Sequence, residues 1–407
     1  MVEDGRYIPD ARTRWLMLGA SLALAWVSVR AAVQSSFAIS NPETAALIGP
    51  AGGQTLVAMA QNRVAESNGE IDDQTRALFR SALASEPLLA DPLTLAALDA
   101  ANSGDSDRAE RLMLAARQRD LRSPLVRFWL LDHFVRAGKY AEALEEVGPA
   151  IRLQPDAITA IMTVLSAMAD TPGGNRALAS KLATHPFWET SFFQTAATNT
   201  SPDALLALLS KLPHANRAMD EQRAVFLALI NAGKGVRAYQ TWRSFLPVAY
   251  RTKASGIYDG DFASWPGAAP FNWTLTSDDI GTARMVRAAD LPQSSALDVR
   301  YFGSTSGILA SQYLMVTPGT YKLQLFARSR SASATGGRLN LELRCLKGEV
   351  LTTLPLDPLA PQLRPFAAAV TVPAGCDLML VQLVGIPGEL FSEVEAQVTG
   401  LSLTPSQ

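Results

Sequence analysis

Residues 258–273 read YDGDFASWPGAAPFNW. Two Asp, two Trp, two Phe, two Pro and two Gly in sixteen positions make a turn-rich, aromatic segment, the kind of stretch that ends one regular structure and starts another. Upstream, from Pro42 to about Pro247, the chain is Ala and Leu with charged residues between them, the pattern of amphipathic helices. From about residue 252 onward the apolar period falls to two. GTYKLQLFARS sets Tyr321, Leu323, Leu325 and Ala327 on one face against Lys322, Gln324 and Arg328 on the other. RLNLELRCL alternates Leu339, Leu341, Leu343 and Cys345 with Asn340, Glu342 and Arg344. ALDVRYF, ILASQYLMV, PFAAAVTVP, DLMLVQLVG and AQVTGLSLTP supply further strands between Gly, Pro and Ser turns. About eight short strands over 252–407, with no helical stretch, predict an antiparallel β-sandwich.

The helical half carries a period. Aligning GDSDRAERLMLAARQ, from Gly104, with GKYAEALEEVGPAIR, from Gly138, matches Gly with Gly and Ala109 with Ala143 at a shift of 34. Ala77 lies 32 before Ala109 and Ala238 lies 95 after Ala143, so the period is 32 to 34. In AGKYAEALEEVGPAIRLQP, residues Gly138, Tyr140, Ala143, Leu144, Ala150 and Pro155 give a stretch that resembles the tetratricopeptide repeat. The resemblance implies helix pairs in which Gly turns one helix into the next, small Ala lets partners approach and Pro ends the second helix. It implies a TPR-like α-solenoid over 42–250, degenerate over 160–215, whose concave face takes a protein partner.

The totals bound the function. At 407 residues the chain suits two or three domains. A net charge of −2 from 36 basic and 38 acidic residues leaves no electrostatic footprint for nucleic acid. The three His, at 133, 185 and 214, all lie in the helical half, so a Ser/His/Asp triad or His-ligated zinc contained in the second half is excluded. His133, in FWLLDHFV, reads as a packed helix residue, and NAGKGVR lacks the upstream Gly of a phosphate loop.

Near the N-terminus a 15-residue apolar run, Trp15 to Val29, stands between Arg14 and Arg30. If Arg30 snorkels, a span over 15–33 reaches roughly 28 Å, enough to cross a hydrocarbon core. Arg6, Arg12 and Arg14 then keep residues 1–14 cytoplasmic, and 34–41 serves as a linker. The alternative is a cleaved signal peptide with small residues at Val29 and Ala31. Both place residues 40–407 outside the cytoplasm, where the only two Cys, Cys345 and Cys376, can persist as a disulfide. Two unpaired buried thiols are the other reading.

The opening DGDFASWPGAAPFNW, the strand PGTYKLQLFARS, TVPAGCDLMLVQL and the closing VTGLSLTP together resemble the galactose-binding-like jelly rolls that include carbohydrate-binding modules. The resemblance covers 255–405 and implies glycan contact. It also implies a structural calcium held partly from the last strand, where this chain has Thr399 and Gly400 instead of an acid. Asp261 remains as one calcium ligand; no other cofactor is expected.

Sugar recognition needs aromatic faces for the rings and polar groups for the hydroxyls. The aromatic residues available are Trp265, Trp273, Tyr301, Phe302, Tyr313 and Phe326. Trp273, in FNWTL, reads as core. Trp265 lies in a turn and Phe326 on the polar face of its strand; with Tyr313 these form the glycan-binding set. Catalysis on a glycan needs two carboxylates, and Glu393 and Glu395 share a face with Glu389 nearby, but no aromatic cluster flanks them. They read as solvated carboxylates, and no catalytic residue is assigned.

The organisation is similar to membrane-anchored accessory proteins of bacterial exopolysaccharide assembly. It implies a single-pass inner-membrane protein with its bulk in the periplasm, holding other polysaccharide-assembly proteins on its repeats and touching glycan with the sandwich. Two alternatives stand beside this non-enzymatic scaffold: a degenerate glycoside hydrolase or lyase, and a purely structural interaction module.

Overall fold

The computed structural model describes residues 11–212, 219–254, 256–291, 294–330, 337–346, 348–389 and 392–406, with residues 11–19 as backbone only. Residues 1–10 of the expected cytoplasmic segment and His214 lie outside the described residues. The chain divides into two compact units, 1–158 and 159–407.

The first unit is helical: α1 Ala11–Phe37, α2 Pro42–Ile48, α3 Gly53–Glu66, α4 Asp73–Ser85, α5 Asp91–Asn102, α6 Ser106–Arg119, α7 Pro124–Arg136 and α8 Tyr140–Leu153. Side-chain caps set the starts of α4 and α6. Asp72 accepts from the Thr75 amide at 2.7 Å and Asp105 from the Arg108 amide at 3.1 Å. The pairs α3–α4, α5–α6 and α7–α8 pack as hairpins across short turns. Gly104 and Gly138 take the left-handed conformation, with φ of 81° and 70°, which a residue with a Cβ adopts only at a cost.

Burial corrects the repeat register. Ala77 is exposed, and the residue that stands where Ala109 and Ala143 stand is Thr75. Thr75–Ala109–Ala143, Phe79–Met113–Val147 and Ala82–Ala116–Ala150 are all buried and recur at a constant 34. The sequence alignment chose Ala77 because it matched residue type, whereas the helix face selects the position. Across the last pair the fully buried Glu146 of α8 is held by Arg117 of α6 and by Arg127 of α7, the latter at 2.5 Å. The carboxylate therefore ties three helices together, and removing one partner leaves a buried charge exposed to a cost of about 3–5 kcal/mol.

Helix α1 continues through Phe37, so half of the linker expected at 34–41 is helical. Among the described residues no helix is long and apolar enough to cross a membrane, and the span expected over 15–33 is not supported. Its uninterrupted apolar run measures only about 22 Å at the helical rise. Arg30, which the longer span needed to snorkel, instead lays its guanidinium where a Cβ on Gly49 would stand.

The second unit begins with helices α9 Ile158–Ala169, α10 Pro172–Leu182, α11 Glu189–Asn199, α12 Pro202–Ser210, α13 Met219–Asn231, α14 Gly235–Phe245 and α15 Val248–Arg251. The turn between α13 and α14 repeats the one between α7 and α8. The Lys234 amide bonds Leu229 O at 2.8 Å as Lys139 bonds Phe134 O at 2.8 Å, with Gly233 and Gly138 both at positive φ.

Ten strands follow: β1 Thr274–Leu275, β2 Gly281–Arg287, β3 Ser295–Tyr301, β4 Gly307–Leu314, β5 Gly319–Ser329, β6 Arg338–Cys345, β7 Val350–Pro355, β8 Arg364–Val372, β9 Met379–Ile386 and β10 Val394–Pro405. They form two antiparallel five-stranded sheets, β1-β4-β9-β6-β7 and β2-β3-β10-β5-β8. β2–β3 and β6–β7 pair as hairpins within a sheet, while the other successive strands cross from sheet to sheet, so the remaining neighbours within each sheet are distant in sequence. Leu297, Val299, Leu323, Leu325, Leu339, Leu341, Val381, Leu383 and Val398 fill the space between the sheets. β2 and β7 are the strands that the alternation did not reveal; their burial patterns are irregular.

Cys345 at the end of β6 is bonded to Cys376 in the β8–β9 loop, at a sequence separation of 31 and with Cα atoms 5.5 Å apart. The expected disulfide is present. Closing a loop of this length stabilises by about 3–4 kcal/mol on chain entropy.

The 34-residue register makes a direct prediction. Ala143→Leu, at a fully buried helix contact, lowers stability by about 1–3 kcal/mol, whereas Ala77→Leu stays within about 0.5 kcal/mol of the parent. Chemical denaturation of the two variants measures the difference.

Candidate functional site

The stretch 258–273 faces two ways. Asp259, Phe262 and Ser264 all have positive φ, at 52°, 55° and 61°, so three residues with side chains sit in a region that costs each of them energy. Asp259 holds this turn closed. Its buried carboxylate accepts from the Ala263 amide at 2.8 Å and the Trp265 amide at 2.9 Å. Gly260 lies directly on the carbonyl of Leu401 in β10, where a Cβ has no room, and its own carbonyl accepts from Leu401 N at 2.9 Å. The opening turn thus docks on the β10 bulge between Thr399 and Ser402.

From this turn Phe262 and Trp273 point into the sandwich, their rings 5.1 Å apart, and the Trp273 indole donates to Asp259 O at 3.1 Å. Trp273 is core, as expected. Tyr258 and Phe271 point the other way, into helices α13 and α14. The Trp242 ring lies 5.1 Å from Tyr258 and 5.5 Å from Phe271. Phe271 also meets Tyr239 at 5.4 Å and Phe226 at 5.9 Å. An aromatic seam therefore joins the last helical hairpin to the sandwich.

The three glycan-binding residues read from sequence stand apart. Tyr313 is half-buried on the outer face of the β4-containing sheet, 6.5 Å from Phe271, and burial pushes its phenol pKa up. Trp265 is half-buried beside the seam, 5.3 Å from Tyr258 and 5.7 Å from Tyr250. Phe326 is half-buried on the outer face of the other sheet, between Thr399 on β10 and Pro365 on β8.

Around Phe326 the register assembles a polar face that sequence reading missed. Arg284, Asp298, Gln397 and Arg328 form one row across β2, β3, β10 and β5. Asp298 accepts from Arg284 at 3.1 Å and from Arg330 at 3.1 Å. Gln397 accepts from Arg328 at 2.6 Å, and Arg328 also donates to Asp290 at 2.6 Å, holding the Asp290 carboxyl below its ordinary pKa. Arg300 pairs with Glu393 at 2.6 Å and lies 3.7 Å from Glu395. Guanidinium forks and an amide fixed this way present oriented donors beside an aromatic ring, the combination that hydroxyl-rich rings require. The alternation placed each side chain on an outer face, but pairing between strands about 100 residues apart is not written in any local pattern.

Asp261 follows in the opening turn, where its carbonyl accepts from Ser295 Oγ at 2.8 Å. Among the described residues no three His, Cys, Asp or Glu side chains cluster as a cation site would need.

No protein-family model matches this chain and no curated protein does. Among solved structures the sandwich resembles carbohydrate-binding modules. One is a family 61 module solved with β-1,4-galactotriose, at 12% identity, covering 38% of this chain and 97% of that one, with a TM-score of 0.26. Another is the C-terminal family 22 module of Clostridium thermocellum Xyn10B, at 13% identity over 37% of this chain and 95% of that one, with a TM-score of 0.26. A family 4 module matches at 15% identity over 37% and 99%, with a TM-score of 0.25. The likeness is one of fold.

Asp259 supplies a test of the opening turn. Burial raises its pKa, so its contribution to stability is full in acid, below the unfolded carboxylate value, and is lost as pH rises through the folded value. Asp259→Ala leaves two backbone amides unbonded and lowers stability by about 1–3 kcal/mol, and its denaturation midpoint no longer carries this pH dependence.

Proposed function

We propose that this chain is a non-enzymatic accessory protein of the bacterial cell envelope that holds neutral glycan on the outer face of its β2-β3-β10-β5-β8 sheet. The single observation that carries the reading is the face around Phe326, where an aromatic ring stands beside a row of mutually fixed Arg, Asp and Gln side chains. Arg284, Arg300, Arg328 and Arg330 are matched by Asp290, Asp298, Glu393 and Glu395. Such a balanced face suits sugar hydroxyls better than a strongly charged polymer.

The disulfide supports an oxidising compartment. The constant 34-residue register of buried small residues supports the tetratricopeptide reading, and on that reading the helical region holds a protein partner in exopolysaccharide assembly. Asp261 as a calcium ligand rests on the sequence resemblance alone. The hydrolase alternative is disfavoured because Glu393 and Glu395 converge on one guanidinium, that of Arg300, rather than flanking an open cleft.

A second reading is favoured by the aromatic seam, which makes the sandwich a partner of the last helical hairpin. On that reading the sandwich is structural and binds no sugar.

Calorimetry of the full chain with cello-, xylo- and galacto-oligosaccharides separates the readings. Binding is expected, with Phe326→Ala weakening it roughly two- to tenfold and Arg328→Ala weakening it further. Absence of binding across the panel removes the glycan reading and leaves the structural one. Turnover of any sugar that Glu393→Gln or Glu395→Gln abolishes replaces it with the hydrolase reading.

A further inference from the structure

Trp265 lies in a two-ring corner that the chain itself occupies. Its ring and that of Tyr250 stand 5.7 Å apart at 62°, and Tyr258 meets Trp265 in a T-shaped contact at 5.3 Å. The Lys253 ammonium lies over the Trp265 ring at 4.6 Å from the centroid and over Tyr250 at 5.4 Å. Lys253 is exposed, so this is a surface cation resting on the aromatic face that a sugar ring would use.

The backbone that carries Lys253 is held on both sides. Arg251 donates to Leu246 O and Ser244 O at 2.9 Å each, Arg243 donates to Arg251 O at 2.9 Å, and the Tyr239 hydroxyl donates to Ala254 O. Tyr239, Arg243 and Ser244 of α14, with Leu246 just beyond it and Arg251 of α15, thus pin the segment on which the lysine stands. On the far side, the Trp265 amide is fixed by Asp259 and its carbonyl by Asn272 at 2.9 Å. The platform and the backbone beneath the cover are thus both held, and the cover itself is the exposed Lys253 side chain.

We propose that Trp265 is a second glycan-stacking platform, separate from the Phe326 face, and that Lys253 is its intramolecular cover. A pyranose stacks on Trp265 only by displacing the ammonium from the ring, so Lys253 sets the affinity of this subsite. The inference rests on the glycan-binding reading, since the ligand class is the same.

The experiment measures cellohexaose and xylohexaose binding to the full chain by calorimetry for the wild type, Lys253→Ala, Lys253→Arg and Lys253→Ala with Trp265→Ala. Removing a surface cation from an aromatic face is expected to tighten binding roughly two- to fivefold in Lys253→Ala. Lys253→Arg keeps a cation on the ring and binds no tighter than the wild type, and Trp265→Ala abolishes the gain. Binding by Lys253→Ala that equals or falls below the wild type overturns the cover. A gain that survives Trp265→Ala overturns the platform. If wild-type binding is present and falls with Phe326→Ala while Lys253→Ala changes nothing, the Phe326 face stands and this subsite fails. If neither wild type nor Lys253→Ala binds, both fail together.

Discussion

The packing of Phe271 against Trp242, Tyr239 and Phe226 is the interaction on which the second unit depends. A β-sandwich with two five-stranded sheets has an interior of its own, yet the segment that opens this one sends Tyr258 and Phe271 outside that interior. Tyr258 and Phe271 are fully buried only because helices α13 and α14 supply the other wall. Gly235 at the start of α14 abuts Leu378 in the β8–β9 loop, two residues from the disulfide at Cys376. Hairpin, opening segment and disulfide loop therefore share one contiguous packing region.

That constraint explains the strain in the opening turn. For aromatic residues within one sixteen-residue stretch to face opposite ways, the chain must reverse repeatedly, and it does so through positive φ at Asp259, Phe262 and Ser264. The cost is offset locally by the Asp259 carboxylate on two amides and by the close approach of Gly260 to β10. Trp265 is carried to the surface by the same reversal, beside Tyr250 and Lys253. The Phe326 face is independent of it, since its geometry comes from the register of β5 against β10 and β8.

Much of the architecture was legible in the residues. Helical period and alternation located the change from α to β, and the presence of only two Cys, both in the second half, pointed to the disulfide Cys345–Cys376. The repeat period was readable, but its register was not: Ala77 matches Ala109 in type, and only burial shows that Thr75 occupies the equivalent site. β2 and β7 were missed because they do not alternate cleanly. The polar row from Arg284 to Arg328 was missed for a different reason: it exists only after four strands have been paired. Trp265 was singled out as an aromatic in a turn, whereas its cover by Lys253 depends on a helical segment whose position relative to the turn is a tertiary fact.

The most direct test of the central claim is amide hydrogen exchange on the full chain carrying Trp242→Ala. If hairpin and sandwich are joined through the seam, the loss of this ring raises exchange together in α13, α14 and residues 258–273, with a stability loss of about 3–5 kcal/mol. Faster exchange confined to α13 and α14, with the opening segment protected as in the parent, contradicts it.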